Sequence, residues 1–139
     1  MNPVVHFEMG YFDRERVKKF YAGAFGWKMN QLGAEMGNYV VAHTAETDDE
    51  GMVKTPGTIN GGFYQKTENV DSHPPSVVIS VADIRAAMKA VVDNGGTIMG
   101  GMTPDGKHTM EPTDIPGVGL WISARDTENN RFSLLQPKR

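Results

Sequence analysis

The sequence predicts an α+β fold in which two βαβββ modules pair into a concave, barrel-like mixed sheet with the helices outside. Three observations predict it: a length suited to one domain, an internal repeat at half length, and strand-then-helix periodicity in each half. The 139 residues are 39% hydrophobic and 22% charged, which is typical of a globular chain. We therefore expect a single domain, with module one at about 3–66, a linker at 67–76 and module two at about 76–137.

The repeat emerges when the sequence is shifted by 70 positions, which places Asp13 on Asp83 and Gly26 on Gly96. Each half opens with a short strand in which apolar residues alternate with other residues, as expected for one buried face. The predicted apolar faces are Val5, Phe7 and Met9 in the first half and Val77, Ile79 and Val81 in the second.

A helix is predicted after each opening strand. Asp13 and Asp83 stand at the N-cap positions, and Gly26 and Gly95-Gly96 stand where a left-handed C-cap is needed. The apolar residues between these caps follow helical spacing, which indicates one packed face. They are Val17, Phe20, Tyr21, Ala24 and Phe25 in the first helix, and Ile84, Ala87, Met88, Val91 and Val92 in the second.

Further strands are predicted after each helix. They lie at 38–42 and 58–66 in module one and at 119–125 and 130–136 in module two. A shift of 71 places Gly62 on Ser133 in the last strands. A half this short buries little apolar area alone, so we expect the two sheets to join. The stretch 100–117 is the longest irregular part of module two and is predicted to be a loop, with Gly100-Gly101 in a turn.

Composition excludes several classes of function. The chain has no cysteine, which removes disulfides, zinc-thiolate sites and cysteine nucleophiles. The net charge is −3 and no large basic cluster occurs, so nucleic acid is not an expected partner. No apolar run is long enough for a membrane span, and the N-terminus does not resemble a secretory signal. We therefore expect a cytoplasmic protein without a membrane partner.

Four segments together resemble the vicinal oxygen chelate superfamily, which includes glyoxalase I, extradiol dioxygenases and bleomycin resistance proteins. They are the opening strand with His6, FYAGAFGWKM, SVVISVADIRAAMKAV and IPGVGLWISARDTENNRFSLLQP. The turn DTENN lacks the proline and glycine usual at this place in the superfamily. The resemblance implies the fold and a homodimer, but it does not specify the chemistry, because the scaffold hosts many activities.

The resemblance also implies positions for a divalent metal, which fall on His6, Gly62, Ser76 and Ser133. Of these four residues, one has a side chain that readily binds such a cation, since glycine offers none and neutral serine is a poor ligand. We therefore expect no cofactor and no metal site of the usual kind. A non-standard metal site would need other side chains near His6, and the candidates are Glu8, His43, His73, His108 and Glu111.

His6 and Glu8 lie two residues apart in the motif VVHFEM and would share one face of the first strand. They could contact a ligand or perform acid–base chemistry, since imidazole titrates near neutral pH. They could equally form ordinary structural hydrogen bonds. The pair Gly61-Gly62 has two corresponding interpretations, namely close approach of a ligand or tight packing.

We expect a small organic ligand on the concave face. Tyr39 and Trp121 occupy similar places in their halves and could stack on a flat molecule or fill the core. The predicted function is small-molecule binding, and whether the chain is an enzyme stays open. The alternatives are a lyase, isomerase or dioxygenase with a non-standard metal or His/Glu site, and a non-catalytic interaction subunit. The predicted ligand-binding residues are His6, Glu8, Gly62, Ser76, Trp121 and Ser133.

Overall fold

The structure is a computed structural model that describes residues 1–68 and 74–138. The described part contains two α-helices and ten strands, which confirms the predicted α+β class. No helix in those two ranges is both long and apolar enough to span a membrane. The chain divides into two compact units, unit one with Met1–Val5 and Ser76–Arg139, and unit two with His6–Pro75. Part of the predicted linker at 67–76 lies outside the described residues.

Unit two contains one helix, three complete strands and β1 from His6 onward, with a short 3-10 helix at Ala34–Met36. The strands run in the spatial order β2-β3-β4-β1, with β1 parallel to β4 and β3 antiparallel to β2 and β4. Glu8 pairs with Gly62 in the parallel ladder. The elements are β1 (Val4–Tyr11), α1 (Arg14–Phe25), β2 (Lys28–Gln31), β3 (Val40–His43) and β4 (Asn60–Gln65).

The core of unit two lies between α1 and one face of its sheet. Its buried residues are Tyr11, Val40, Ala42 and Phe63, against which Phe7, Met9, Val17, Tyr21, Trp27 and Met29 pack. The helix therefore contributes fewer residues than its apolar pattern predicts. Of the α1 residues, Val17 and Tyr21 pack on this cluster, whereas Phe20 is 57% exposed and Phe25 is 64% exposed.

Unit one contains one helix and six strands, with β5 parallel to β10 and the other pairs antiparallel. The spatial order is β5-β10-β9-β6-β7, and β8 pairs with β9. The elements are β5 (Ser76–Ser80), α2 (Ile84–Asp93), β6 (Thr97–Met102), β7 (His108–Thr109), β8 (Thr113–Ile115), β9 (Gly119–Arg125) and β10 (Arg131–Pro137).

The parallel ladders of the two units have equivalent registers. Val78 pairs with Ser133 in unit one, as Glu8 pairs with Gly62 in unit two. These pairs are related by the shifts of 70 and 71 positions found in the sequence. The repeat is therefore reproduced at the level of individual pairs.

The core of unit one lies between α2 and one face of its sheet. Its buried residues are Val81, Ile84, Ile122 and Leu134, and the residues packed against them are Ile79, Ala87, Met88, Val91, Ile98, Leu120 and Phe132. Two predicted core residues are instead exposed, Val77 at 39% and Val92 at 56%. Val78, on the opposite face of β5 from Ile79, is buried.

Both predicted N-caps are confirmed. The Asp13 carboxylate accepts from the backbone N–H of Arg16, and the Asp83 carboxylate accepts from those of Arg85 and Ala86. Gly26 ends α1 in the left-handed conformation with φ of 71°. Such bonds satisfy amide groups that the helix leaves without a partner.

The prediction of a continuous loop at 100–117 is wrong, because this stretch contains part of β6 and all of β7 and β8. Gly100 lies within β6 and not in a turn. The pairing of β6 with β9 shifts between Ile98 and Gly100, where Gly100 has φ of 114°. Glycine is suited to this bulge because few other residues adopt such a positive φ.

The DTENN turn between β9 and β10 forms without the usual glycine and proline. The Asp126 carboxylate accepts from the backbone N–H groups of Glu128 and Asn130. Asn129 adopts φ of 66°, a conformation that asparagine tolerates better than most residues. The Asn130 side-chain amide also donates to this carboxylate, and that bond, followed by the backbone bonds, holds the pKa of Asp126 below its usual value.

Candidate functional site

The candidate site lies on the face of the unit-two sheet opposite its core. Phe7 and Met9 of β1 pack in the core, so strand alternation places His6 and Glu8 on the opposite face. Both side chains are half-buried.

Tyr39 brings the two polar residues of β1 together. Its hydroxyl lies 2.9 Å from His6 Nε2 and 3.2 Å from Glu8 Oε2. The three residues form a hydrogen-bonded chain, which we call the His6–Tyr39–Glu8 chain. A tyrosine has one hydroxyl proton, and an ionised carboxylate can only accept. The phenol donates to Glu8 Oε2, and its oxygen lies within hydrogen-bond distance of His6 Nε2, whose role as donor or acceptor depends on the imidazole tautomer.

The backbone around Tyr39 fixes its position at the start of β3. The carbonyl of Tyr39 accepts from Leu32 N–H at 2.8 Å, which extends the pairing of β2 with β3. The preceding Asn38 adopts φ of 56°, and its carbonyl accepts from the Tyr11 hydroxyl at 2.7 Å. Local turn geometry and a tertiary hydrogen bond thus act together to orient the ring.

The two glycines of β4 leave room for aromatic rings on both faces of the sheet. A Cβ atom on Gly61 would lie 2.4 Å from the Phe7 ring, and one on Gly62 would lie 2.0 Å from the Tyr39 hydroxyl oxygen. No side chain fits at such distances unless the ring moves. This finding favours the packing interpretation of the pair, and ligand contact at Gly62 stays a prediction.

Burial sets the protonation of the chain. Burial lowers the pKa of His6 from its usual 6.5, which favours the neutral imidazole. Burial, followed by the charge of Glu8 and the hydrogen bond to it, raises the pKa of Tyr39 above its usual 10. The phenol thus keeps its proton throughout the physiological range. A neutral imidazole, a protonated phenol and a carboxylate that accepts its proton are a consistent set of hydrogen-bonding groups.

The equivalent positions of unit one carry different chemistry. The repeat relates His6 to Ser76, Glu8 to Val78 and Tyr39 to Trp121, none of which can reproduce the chain. Ser76 is buried and Trp121 is half-buried. Trp121 lies on the face opposite Leu120 and Ile122, which pack in the core, as strand alternation requires.

Ser133 and its neighbour Arg131 carry buried polar atoms that have no partner among the described residues. The Ser133 hydroxyl is fully buried, and so is one terminal guanidinium nitrogen of Arg131. Arg131 Nε donates to Ser123 Oγ at 3.1 Å across the β9–β10 pair. Arg131 was not among the predicted residues, although alternation with Phe132 and Leu134 places it beside Ser133.

A cavity of about 360 Å³ lies near the start of α1 in unit two. It is lined by Gly10, Tyr11, Phe12, Asp13, Arg16, Val17, Phe20 and Lys66. His6, Tyr39 and Glu8 do not line this cavity. The candidate site is therefore defined by hydrogen bonding and not by the cavity.

Comparison with known families gives a match over residues 4–134 to the Glyoxalase/Bleomycin resistance protein/Dioxygenase superfamily. The chain belongs to this superfamily. The match covers nearly the whole length and confirms the resemblance seen in the opening strand, the helices and the closing strands.

A relative by sequence supports this assignment, and a solved structure shares the fold. A glyoxylase-like domain-containing protein of Didymella fabae is 31% identical over 124 residues, covering 88% of this chain and 84% of the relative. A hypothetical protein of Bacillus halodurans has a TM-score of 0.64 at 14% identity, covering 99% of this chain and 96% of that one.

A variant of methylmalonyl-CoA epimerase from Streptomyces coelicolor, solved with 2-nitronate-propionyl-CoA, has a TM-score of 0.67 at 14% identity. The match covers 99% of this chain and 95% of the epimerase. At this identity the likeness concerns the fold.

The residues of this superfamily member do not fit the metal site that the resemblance implies. His6 Nε2 is bonded to Tyr39, and Gly62 has no side-chain donor. Ser76 and Ser133 offer neutral hydroxyls, which are weak ligands for divalent cations. Across 1–68 and 74–138, no group of three or more His, Asp and Glu side chains could hold a metal ion.

The other predicted metal donors are placed as follows. His43 ends β3 and is half-buried, whereas His73 lies outside the described residues. His108 Nε2 lies 2.7 Å from the Met99 carbonyl, and Glu111 forms an ion pair with Arg85 at 2.7 Å. His108 and Glu111 thus have structural partners in unit one.

Tyr39 is the site residue whose role the sequence predicted least well. Alternation in NYVVA places it opposite Val40 and Ala42, which identifies its face. Its hydrogen bonds require β1 and β3 to lie on either side of β4, which is a tertiary fact.

Proposed function

We propose that this chain binds a small organic molecule through His6, on the polar face of the unit-two sheet, without a divalent metal of the usual superfamily kind. The observation that carries the proposal is the His6–Tyr39–Glu8 chain. This hydrogen-bonded chain fixes one nitrogen of a half-buried imidazole. Ligand sites commonly contain such fixed polar groups. Gly62 contributes by leaving room for the phenol.

The ligand chemistry follows from the proton positions in the chain. With Nε2–H donated to Tyr39, the second imidazole nitrogen, Nδ1, is a hydrogen-bond acceptor. Among the described residues no hydrogen bond to Nδ1 is found. A ligand would therefore present an O–H, N–H or acidic C–H group. Acyl-coenzyme A esters are sensible first compounds, because the Streptomyces relative was solved with one.

Proton transfer is the second candidate function, and the hydrogen bond from the Tyr39 hydroxyl to the Glu8 carboxylate supports it. If His6 Nδ1 took a proton from a ligand, the imidazolium would be connected through Tyr39 to the negative charge of Glu8. Such charge stabilisation is what a general base needs. This candidate corresponds to an isomerase or lyase using His/Glu chemistry.

A thermal-shift screen tests the binding proposal. The panel contains acyl-coenzyme A esters, hydroxy acids and phenols, and each hit is repeated on His6→Ala and on the matched control His108→Ala. A ligand at 100 times its Kd should stabilise the protein by about 2.7 kcal/mol. We expect the stabilisation to disappear in His6→Ala and to persist in His108→Ala. If no compound binds, the interaction-subunit alternative is favoured.

Two further measurements separate the remaining alternatives. Elemental analysis of the purified protein should find no stoichiometric divalent metal, and a metal that is lost in His6→Ala would contradict the metal-free proposal. For proton transfer, a bound ester incubated in D₂O should exchange its acidic C–H with the wild type and not with His6→Ala. Binding without exchange would support small-molecule binding and contradict proton transfer.

We also propose that the protein is a cytoplasmic homodimer. The support is the superfamily membership, since such modules commonly pair between chains, together with the composition. Neither nucleic acid nor a membrane is a proposed partner.

A further inference from the structure

We infer that Tyr39 is a positioning residue that holds His6 in the tautomer protonated at Nε2, so that Nδ1 faces the ligand as the acceptor of its hydrogen bond or proton. The inference rests on the proposed function and assigns Tyr39 a role in it. It deepens that function by assigning the residue that selects which imidazole nitrogen accepts from the ligand.

The first step of the argument is the direction of the hydrogen bonds. The phenol oxygen lies 2.9 Å from His6 Nε2, which can donate or accept a hydrogen bond. It lies 3.2 Å from Glu8 Oε2, which accepts one. If the phenol donated to His6, its oxygen would face the carboxylate of Glu8 with no proton between them. That arrangement is repulsive, so the carboxylate selects the phenol direction, and the phenol selects the tautomer.

The second step is that residue 62 leaves the space that the phenol occupies. The Tyr39 oxygen lies 2.0 Å from the position that a Cβ of residue 62 would take. The His6–Tyr39–Glu8 chain therefore requires glycine at position 62. In β10 the equivalent residue is Ser133, and the residue equivalent to Tyr39 is Trp121, which has no hydroxyl.

The third step is that the imidazole is anchored on one side. Within the described ranges the hydrogen bond to Tyr39 is the one that His6 makes through its side chain, and the ring lies 6.4 Å from the Phe7 ring with an interplanar angle of 22°. Without Tyr39 both tautomers would be open to a neutral imidazole. The phenol thus determines which nitrogen is the acceptor.

Nuclear magnetic resonance of protein labelled with ¹⁵N-histidine tests the inference directly. In the wild type at pH 7.5, we expect the His6 nitrogens to show the Nε2–H tautomer alone. In Tyr39→Phe we expect a mixture of both tautomers. The control Tyr21→Phe removes a hydroxyl on the opposite face of the same unit and should leave the His6 signals unchanged.

Glu8→Leu is the second test variant, because it removes the carboxylate that directs the phenol. The freed phenol proton can then be donated to His6 Nε2, so the Nδ1–H tautomer should increase. An amide correlation spectrum verifies that each variant is folded. The inference is overturned if wild-type His6 carries its proton at Nδ1, or if folded Tyr39→Phe and Glu8→Leu both keep the wild-type tautomer.

The outcome is separable from that of the binding screen. A tautomer that responds to Tyr39 while no compound binds would support the positioning role and contradict the proposed function. Compounds that bind through His6 while the tautomer ignores Tyr39 would contradict the positioning role alone.

Discussion

Gly62 shows how a single residue sets the geometry of the candidate site. Because Gly62 has no side chain, the Tyr39 hydroxyl can lie in the space where a Cβ would be, next to His6 and Glu8. The sequence identified the glycine pair as unusual, because glycine weakens a strand interior. Which of the two interpretations applied depended on residues that are more than twenty positions away.

Gly62→Ala should destabilise the fold by about 1–3 kcal/mol, because the new methyl group must displace a half-buried ring. Urea denaturation measures the change in the free energy of unfolding. Gly23→Ala is the matched control, since nothing lies within 4 Å of a Cβ at that helical position. It should stabilise α1 by up to about 1 kcal/mol. Equal effects of both substitutions would contradict the steric explanation.

His6 should make stability depend on pH. Burial lowers its pKa below 6.5 in the folded state, so the unfolded chain binds more protons near pH 6. The free energy of unfolding should therefore fall as the pH falls through 6.5 towards the pKa of the folded state. Urea denaturation at pH 7.5 and 5.5 tests this. His6→Gln should show a weaker dependence than wild type, whereas His108→Gln, at an exposed position, should retain it.

Ser133→Ala should leave stability unchanged or increase it by about 1 kcal/mol, because the buried hydroxyl has no partner in the described structure. Ser123→Ala is the informative comparison. It removes the acceptor of Arg131 Nε and should cost about 1.5–3 kcal/mol, as expected for a hydrogen bond to a charged group. Destabilisation by Ser133→Ala of more than about 1 kcal/mol would mean that its hydroxyl does have a partner.

At the scale of elements, caps and periodicity predicted the long elements well. The helices α1 and α2 begin after Asp13 and Asp83, and β9 spans the predicted 119–125. These features depend on residues close in sequence, which a pattern can detect. The short strands β7 and β8 have two and three residues and show no periodicity. They form because neighbouring strands supply hydrogen-bond partners, which no local pattern encodes.

Asp83→Ala should reduce the free energy of unfolding by about 1 kcal/mol, because two backbone N–H groups of α2 lose their acceptor. Thermal and urea unfolding of the full chain measure it. Asp93→Ala is the control at the opposite end of the same helix. Asp93 pairs with Lys89 at an exposed position, where such pairs contribute about 0.3–0.5 kcal/mol. A smaller effect of Asp83→Ala than of Asp93→Ala would contradict the capping assignment.

At the scale of the whole molecule, superfamily membership and the metal donors point in different directions. The superfamily match covers residues 4–134, yet one of the four implied ligand positions carries a strong ligand. The repeat allows the metal-ligand positions of the two halves to be compared residue by residue, since it relates Gly62 to Ser133 and His6 to Ser76. Membership therefore specifies the scaffold, and the side chains at these positions specify the chemistry.

The proposed homodimer should have about twice the chain mass of 15.3 kDa in solution. Light scattering coupled to size exclusion measures this mass over a range of concentrations. Because an obligate dimer is stabilised by mass action, its Tm should also rise with concentration. A constant mass of one chain across the range would contradict the proposal.

The sequence by itself determined the α+β class, the repeat with its shifts of 70 and 71 positions, the helix N-caps and the face on which His6 and Glu8 lie. These follow from spacing along the chain, which fixes helix and strand periodicity. The tertiary structure alone decided that Tyr39 joins His6 to Glu8, and that Phe20 and Phe25 are exposed. The physical reason is that a hydrogen bond between β1 and the start of β3 depends on β4 lying between them. That arrangement joins residues more than thirty positions apart in the sequence.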